Sequence, residues 1–300
     1  MVDFFQHVIN GLSLGSIYAL IALGYTMVYG VLRLINFAHS EVYMLGAFIG
    51  FYTSRFFGLG EQSQFMGLLL VLIVAMTGCA VAGFVIERLA YRPMRGSSSI
   101  NSLITAVGVS LLLQFSGQLI FGAAPKFFPQ IYQPTIELSF FGLQLNPLQV
   151  VVAIVALVLM VILQFVIFKT RLGRAMRAVS FSRDTARLMG IPTDLVISAT
   201  FMMGSALARA AGVLVGLIYP KIDPLMGVMP GLKAFVAAVV GGIGNVVGAV
   251  IGALTLGLAE EFVVAYGRST FRDALAFLLL ILILLFRPNG LLGSNVREKV

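Results

Sequence analysis

Residues 231–258 read GLKAFVAAVVGGIGNVVGAVIGALTLGL and place seven glycines in 28 residues of otherwise apolar sequence. A Gly-Gly-x-Gly run at 241–244 can interrupt a helix, and interrupted backbone is tolerated at membrane depth only where protein or a water-filled cavity covers it. The same sequence is also compatible with one crossing helix that packs closely through Gly244, Gly248 and Gly252, because small residues four positions apart let helices approach each other. Both interpretations remain open at the level of sequence.

The composition of the whole chain is that of a membrane protein. Hydrophobic residues make up 59% of the 300 residues, charged residues make up 11%, and the mean hydropathy is +1.01. These values exclude a soluble or disordered chain, and the single cysteine, Cys79, excludes a disulfide scaffold. The net charge of +8 would suggest nucleic acid on a soluble chain, but in a polytopic protein it indicates basic cytoplasmic loops. We therefore expect membrane lipid, and no nucleic acid, around this protein.

Stretches of about 20 apolar residues mark the candidate membrane segments. They predict an all-α fold, a polytopic transmembrane helical bundle of about eight segments that forms a single domain over 1–300. The segments are 7–31, 40–57, 65–88, 100–121, 147–168, 194–219, 231–258 and 269–286. The first segment has no basic residue before Arg33 and is too long for a secretory signal, so it should remain as a span.

Basic residues predict the topology, because Lys and Arg near span ends favour the cytoplasmic side. Twelve of the 20 basic residues fall in three clusters, at 88–95, 169–187 and 287–299. Loops 89–99 and 169–193 are therefore expected inside, and the Pro-rich connection 122–146 and the N-terminus outside. Three simple crossings after residue 193 would leave the last basic cluster outside. The sequence therefore predicts that 231–258 does not cross simply.

Three polar residues, Asn36, His39 and Glu41, stand at the start of the second segment. One account is helix capping, with Asn36 or Ser40 as the N-cap and Glu41 in the first turn near the positive helix end. The functional account places Asn36 or His39 in a gate or along a substrate pathway. Capping is favoured from the residues alone, because polar residues at span ends are ordinary.

Arg209 is expected near the middle of the sixth segment, where a guanidinium costs at least about 2.5–3.5 kcal/mol. It should therefore face the bundle interior, a partner subunit or water, and snorkelling to the surface is the alternative. The candidate pathway residues are Asn36, His39, Glu41, Arg209, Gly242, Gly244 and Asn245.

Residues 169–191, KTRLGRAMRAVSFSRDTARLMGI, predict a short amphipathic cytoplasmic helix or a pair of helices. The pattern ends at Gly190 and is followed by Pro192, an arrangement typical of a defined helical element. The residues that can face apolar surface while the arginines point away are Leu172, Met176, Val179, Leu188 and Met189.

Signatures of catalysis are missing from the sequence. There is no GxxxxGK[ST] phosphate loop, and two histidines with one cysteine make no metal pattern, so we expect no enzyme, cofactor or metal site. An ion-coupled secondary amino acid transporter or channel is the alternative to an ATP-driven permease, but such proteins typically show intramembrane carboxylates or matched helix breaks. Here the only deep charge expected is Arg209, and only 231–258 is interrupted by glycine.

Four motifs in this order resemble those of the permease subunits of branched-chain amino acid ABC importers. They are NFAHSE at 36–41, RLGRAMRA…ARLMGI at 171–191, GGIGNVVGAVIGA at 241–253 and RPNGLLG at 287–293. The resemblance begins with GLSLGSIYALIALGYTMVYG at 11–30 and covers nearly the whole chain. The family usually carries Gly where this sequence has Ser40.

This resemblance implies import of Leu, Ile or Val across the bacterial inner membrane by alternating access. It implies four kinds of partner: a second permease subunit, two cytoplasmic ATPase subunits, a periplasmic amino-acid-binding protein and membrane lipid. It also implies that a coupling loop at about 169–193 docks on an ATPase. Within that loop the expected coupling residues are Arg174, Arg177, Ala178, Asp184, Ala186 and Gly190.

Overall fold

The computed structural model describes residues 2–60, 65–132, 138–140 and 143–293. Two residues of the last basic cluster, Arg297 and Lys299, lie outside the described residues, as does part of the connection 122–146.

Helices form almost all of the described structure. In chain order they are α1 (Val2–Leu32), α2 (His39–Phe56), α3 (Phe65–Ile86, continued by a π-helical turn at Glu87–Tyr91), α4 (Ser99–Phe121), α5 (Pro147–Lys169), α6 (Arg171–Phe181), α7 (Arg183–Leu188), α8 (Thr193–Ile218), α9 (Val228–Gly241), α10 (Val246–Tyr266) and α11 (Arg272–Phe286, preceded by a 3-10 turn at Ser269–Phe271). Two short antiparallel pairs complete the described residues, β1 (Lys126–Phe127) with β4 (Lys221–Ile222) and β2 (Leu138–Phe140) with β3 (Leu143–Leu145).

The predicted all-α membrane bundle is confirmed. Seven of the described helices are long and apolar enough to cross a membrane, and α9 is a shorter apolar helix. Most predicted segments agree with the observed helices to within two residues, but α1 begins at Val2 rather than at residue 7. The predicted segment 231–258 contains parts of two helices, α9 and α10, as expected for a segment that does not cross simply.

The centre of the bundle is α1, which is buried without interruption from Gly15 to Val28. It packs antiparallel to α10, and glycine makes this contact close. A Cβ atom at Gly11 would lie 2.9 Å from the Cα of Leu258, and one at Gly15 would lie 2.8 Å from the Cα of Leu254. Because there is no room for a side chain here, the two backbones determine the spacing of the bundle core.

The Gly-rich segment is broken, as one of the two interpretations required. Helix α9 ends at Gly241, and the chain turns through Gly242 and Gly244, whose φ angles of 108° and 93° suit glycine. Asn245 then caps α10, its side-chain oxygen accepting bonds from the amides of Val247 and Gly248. The interpretation as one continuous crossing helix is therefore wrong.

The glycines after the turn nevertheless pack as that second interpretation expected. A Cβ atom at Gly248 would lie 2.3 Å from the carbonyl oxygen of Gly241, and one at Gly252 would lie 2.2 Å from that of Ala237. The contacts run in opposite directions along the two helices, so α9 and α10 form a tight antiparallel hairpin. Small residues serve both the turn and the packing.

Two helices begin inside the bundle rather than at its surface. The first residue of α2, His39, contacts Gly24, eight residues before the end of α1, which places it about 12 Å from that end. The start of α9 contacts the same place, because Gly227 and Gly231 both lie against Ser40. The N-terminal ends of α2 and α9 therefore meet within the protein.

The basic loops share one end of the bundle. One cavity of ≈ 80 Å³ is lined by Gly30 near the end of α1, Met176 of α6 and Gly244 of the turn. The chain after α11 reaches the same end, where the amide of Leu291 donates to the carbonyl of Val240 at 2.8 Å. Helix α8 therefore leaves this end, α9 returns to it, α10 leaves again and α11 returns. Because of this extra passage, the chain after α11 returns to the end that holds the other basic loops, which three simple crossings after residue 193 would not allow.

We expect a thiol-labelling experiment to reproduce this topology. After Cys79→Ser, the variants Ser182→Cys and Ile243→Cys should react with a membrane-impermeant thiol reagent only after spheroplasts are lysed, because both sites lie at the basic end. Ser269→Cys, at the opposite end, should react in intact spheroplasts. If 231–258 crossed as one helix, Ile243→Cys would lie in hydrocarbon and would stay unlabelled under both conditions.

Candidate transport site

A buried polar region surrounds the first two turns of α2. Asn36 is 3% exposed, and its side-chain oxygen accepts a hydrogen bond of 2.7 Å from the Tyr91 hydroxyl. The N-cap position is occupied by Ala38 without any side-chain bond, and the Ser40 hydroxyl donates to the carbonyl of Phe37 instead. Capping by Asn36 or Ser40 is therefore wrong, although Glu41 does lie in the first turn.

His39 and Glu41 are both 1% exposed. The His39 ring lies edge-on to Tyr25 at a centroid distance of 4.8 Å, and its Nε2 has no hydrogen-bond partner among the described residues. One oxygen of Glu41 accepts long bonds of 3.4 Å from the hydroxyls of Ser40 and Ser110. Its other oxygen has no partner in the described chain. Polar atoms are thus held inside the bundle with little hydrogen bonding.

Arg209 is fully buried and packs against α2. A Cβ atom at Gly46 would lie 2.7 Å from Cγ of Arg209, and the guanidinium Nε donates to the carbonyl of Val42 at 3.4 Å. Its two terminal nitrogens have no hydrogen-bond partner in the part of the chain that the structure describes. Arg209 therefore faces the bundle interior and does not snorkel. Like Asn36, His39 and Glu41, it is a buried polar residue of the bundle.

The other three candidate pathway residues lie elsewhere. Gly242, Gly244 and Asn245 form the α9–α10 turn at the basic end, against the segment that follows α11. The Asn245 side-chain amide donates to the carbonyl of Leu292 at 2.8 Å. The predicted set is thus divided between the bundle interior and one of its ends.

A second buried charged group was missed from the sequence. Glu260 lies just beyond the predicted segment 231–258, is 0% exposed and binds Lys233 Nζ at 2.9 Å, Arg272 Nε at 2.9 Å and the Tyr18 hydroxyl at 3.0 Å. Lys233 Nζ also lies 2.7 Å from Asp273. We call Tyr18, Lys233, Glu260, Arg272 and Asp273 the Glu260 network. It joins α1, α9, α10 and the start of α11.

The expectation that Arg209 is the only deep charge is therefore wrong. Glu41, Glu87, Lys233 and Glu260 are buried as well. A usable signal existed in the sequence, because Lys233 falls inside one predicted span, and Arg272 and Asp273 fall inside the next. Opposite charges in neighbouring apolar segments indicate a buried pair.

An ionic cluster joins the loop 89–99 to the start of α8. Asp194 accepts bonds from Arg92 at 2.7 Å and from Arg95 at 2.5 Å, and Arg95 also binds Glu87. Burial is the larger effect on Arg95 and lowers the pKa of its guanidinium from the ordinary value, although Glu87 and Asp194 favour the charged form. This cluster anchors the cytoplasmic loops expected from the sequence to one another.

The predicted coupling loop forms the helix pair α6 and α7. Met176 and Val179 are buried as expected, whereas Leu188 and Met189, which were expected to face apolar surface, are 87% and 78% exposed. Phe181 is 88% exposed beside them. Gly190 ends α7 with a φ of 79°.

The coupling residues themselves divide by exposure. Arg174, Arg177 and Asp184 are exposed, Ala178 packs partly against the core, and Ala186 is only 4% exposed. Ala186 therefore contacts the rest of this chain and is not available on the surface.

Comparison with known proteins gives the family. The family model described as "Branched-chain amino acid transport system / permease component" matches residues 7–284. The chain belongs to this family. It is therefore a membrane permease component, in agreement with the resemblance of its motifs.

Individual relatives match the permease over nearly its full length. The high-affinity branched-chain amino acid transport system permease protein LivH of Escherichia coli (strain K12) is 42% identical over 301 residues, covering 99% of this chain and 98% of the relative. The BraD permease protein of Pseudomonas aeruginosa is 41% identical over the same shares. A probable LivH of Methanocaldococcus jannaschii is 26% identical and covers 93% and 89%.

One solved structure, PsaBC from Streptococcus pneumoniae in complex with Fab, aligns with 93% of this chain and 91% of its own. The TM-score is 0.46 and the sequence identity 12%. A likeness at this level does not establish a shared fold.

We expect the Glu260 network to stabilise the permease through its buried members. Glu260→Gln should lower the free energy of unfolding by about 3–5 kcal/mol, because it leaves the buried Lys233 with only the half-exposed Asp273 as a charge partner. Lys233→Met combined with Glu260→Met should recover most of this loss. The measurement is thermal unfolding of the detergent-purified protein.

Asp273→Asn is the matched control. Asp273 also binds Lys233, but its side chain is 50% exposed, so the loss should be below about 1 kcal/mol. A loss as large as that of Glu260→Gln would contradict the argument from burial.

Proposed function

We propose that the permease carries leucine, isoleucine and valine across the bacterial inner membrane by alternating access. It does so as one subunit of an ABC importer with a second permease subunit, two cytoplasmic ATPases and a periplasmic amino-acid-binding protein. The observation that carries this proposal is the identity of 41–42% over nearly the full length to permeases whose names state high-affinity branched-chain amino acid transport.

The geometry supports a transport role. The helices α2 and α9 begin inside the bundle, and helices that start at membrane depth commonly form substrate sites in transporters. Arg209, His39 and Glu41 retain polar atoms without partners among the described residues. These atoms are available to form hydrogen bonds when the helices adopt a second arrangement. Rearrangement between two packed states is what alternating access requires.

An ion-coupled transporter is the second candidate, because buried carboxylates are present. Glu260 is compensated by Lys233 and Arg272, and Glu87 by Arg95. Among the described residues, Glu41 accepts hydrogen bonds from hydroxyl groups only. One buried carboxylate without a charge partner in the described chain is weaker support for proton coupling than family membership is for an ATP-driven system.

The decisive experiment is reconstitution with the neighbouring gene products. Liposomes that contain both permeases and both ATPases should import labelled leucine when ATP and the loaded binding protein are supplied. Liposomes with this chain alone should not import leucine under a proton or sodium gradient. Uptake by the single chain would overturn the proposal in favour of the ion-coupled alternative.

We further propose that the exposed surface of α6 and α7 docks on an ATPase. Phe181, Leu188 and Met189 are exposed on α6 and α7 at the basic end, and Arg174, Arg177 and Asp184 of the same helices are exposed as well. Apolar residues so exposed outside the hydrocarbon indicate a protein contact. This surface replaces Ala186, one of the expected coupling residues, because Ala186 is only 4% exposed.

Leu188→Glu should weaken this contact. Because a charge would be desolvated in an apolar interface, co-purification of the ATPases with the permease should fall at least about tenfold, equivalent to 1.4 kcal/mol or more. Phe127→Glu is the control, since Phe127 is 74% exposed at the opposite end of the molecule. Equal loss in both variants would show a general defect in folding rather than a docking surface.

A further inference from the structure

A cavity at the end opposite the basic loops has the chemistry of an amino acid site. Its volume is ≈ 250 Å³, and it lies between α1, α2, α8, α9 and the start of α11. Tyr219, which lines the cavity, lies at the end of α8 and next to β4. The cavity is therefore located toward the end of the bundle where β1 and β4 pair. The basic-loop rule assigns this end to the outside, where a binding protein would deliver its load.

One part of the cavity wall is cationic. Lys233 and Arg272 both line it, and the side chain of Lys233 is only 5% exposed. Their partner Glu260 is fully buried and is not among the lining residues. The two cations therefore border the cavity, and the Glu260 carboxylate lies behind them. A carboxylate group of a ligand would find two charge-assisted donors there.

The first turn of α9 also reaches this cavity. Met229 and Pro230 line it, and α9 begins at Val228 inside the protein without a side-chain cap. The start of a helix favours negative charge. Its effect adds to that of Lys233 and Arg272, so three features of the site favour a carboxylate.

The remaining wall suits an ammonium group and an aliphatic side chain. Tyr18, Tyr43 and Tyr219 line the cavity, and the Tyr18 hydroxyl donates to Glu260 at 3.0 Å. Aromatic rings and phenolic oxygens attract ammonium groups. The apolar lining is provided by Leu14, Ile17, Val215 and Met229.

The charge balance distinguishes a zwitterion from an anion. Lys233 and Arg272 are matched by Glu260 and Asp273, so the Glu260 network is neutral as a whole. A ligand with a net negative charge would disturb this balance at a partly buried site, whereas an amino acid zwitterion would preserve it. We propose that this cavity is the outward-facing site at which the permease receives its amino acid, with the carboxylate toward Lys233 and Arg272 and the aliphatic side chain toward Met229 and Val215. The inference deepens the proposed transport function and rests on it.

The test uses the complete reconstituted transporter with its native cysteines replaced, including Cys79→Ser. Met229→Cys should react with a hydrophilic thiol reagent from the side of the binding protein. Reaction should lower ATP-driven leucine uptake at least tenfold, because the attached group fills the cavity. Leucine-loaded binding protein should slow the reaction at least threefold, and unloaded binding protein should not.

Leu225→Cys is the matched control at the same end. Leu225 is 49% exposed but does not line the cavity, so its modification should leave at least half of the uptake. Val215→Cys, on another wall, provides the same test if Met229→Cys does not assemble.

The outcomes separate the two proposals. If the unmodified transporter imports no leucine, the proposed function fails. If it imports leucine and both modified cavity variants import it normally, the cavity is overturned while the function stands. If unloaded binding protein also slows the reaction, docking covers the cavity without ligand entering it. That result would overturn the proposed site as well.

Discussion

The structure depends on one constraint: backbone that is not helical within the membrane must be covered by protein. Helices α2 and α9 both begin inside the bundle, and the irregular backbone immediately before them is buried at Asn36, Ala38 and Gly227. Such backbone can exist only because α1 and α8 are packed around it with almost no side-chain volume at the contacts. Gly24 meets the ring of His39, and Gly46 and Gly212 bring α2 against α8. The glycines of this protein are therefore a condition for its interrupted helices.

The close packing of the helices also determines how the buried charges are paired. The Glu260 network is nearly closed, with each buried ion matched by an opposite one, and it ties the hairpin of α9 and α10 to α1 and α11. Arg209 and Glu41 are held differently, because both keep polar atoms without partners in the described chain. Charges that are fully paired stabilise one arrangement of the helices. Charges that are incompletely paired leave a second arrangement accessible, which a transporter needs.

Much of the fold could be predicted because lipid demands long apolar helices, and those are visible in one sequence. The break in 231–258 could be narrowed only to two interpretations, since a turn and a tight helix contact both require glycine at the same spacing. Contacts between distant segments escaped prediction for a different reason. The position of Asn36 suggested a helix cap, but its side chain accepts a hydrogen bond from Tyr91, 55 residues away in the sequence. Lys233 and Glu260 meet only once α9 and α10 fold back on one another.

The central position of α1 also bears on how the protein is made. Its closest neighbour, α10, is among the last helices to be synthesised, and Gly15 contacts Gly257, which lies 242 positions later in the chain. At about 5–20 residues per second, translation alone takes on the order of 10–50 s to supply that neighbour. During this interval the helix that will be the most enclosed lies in lipid without the neighbouring helix that packs against its glycines. Biogenesis therefore requires that α1 be tolerated by the bilayer, or held by the insertion machinery, well before the bundle that encloses it exists.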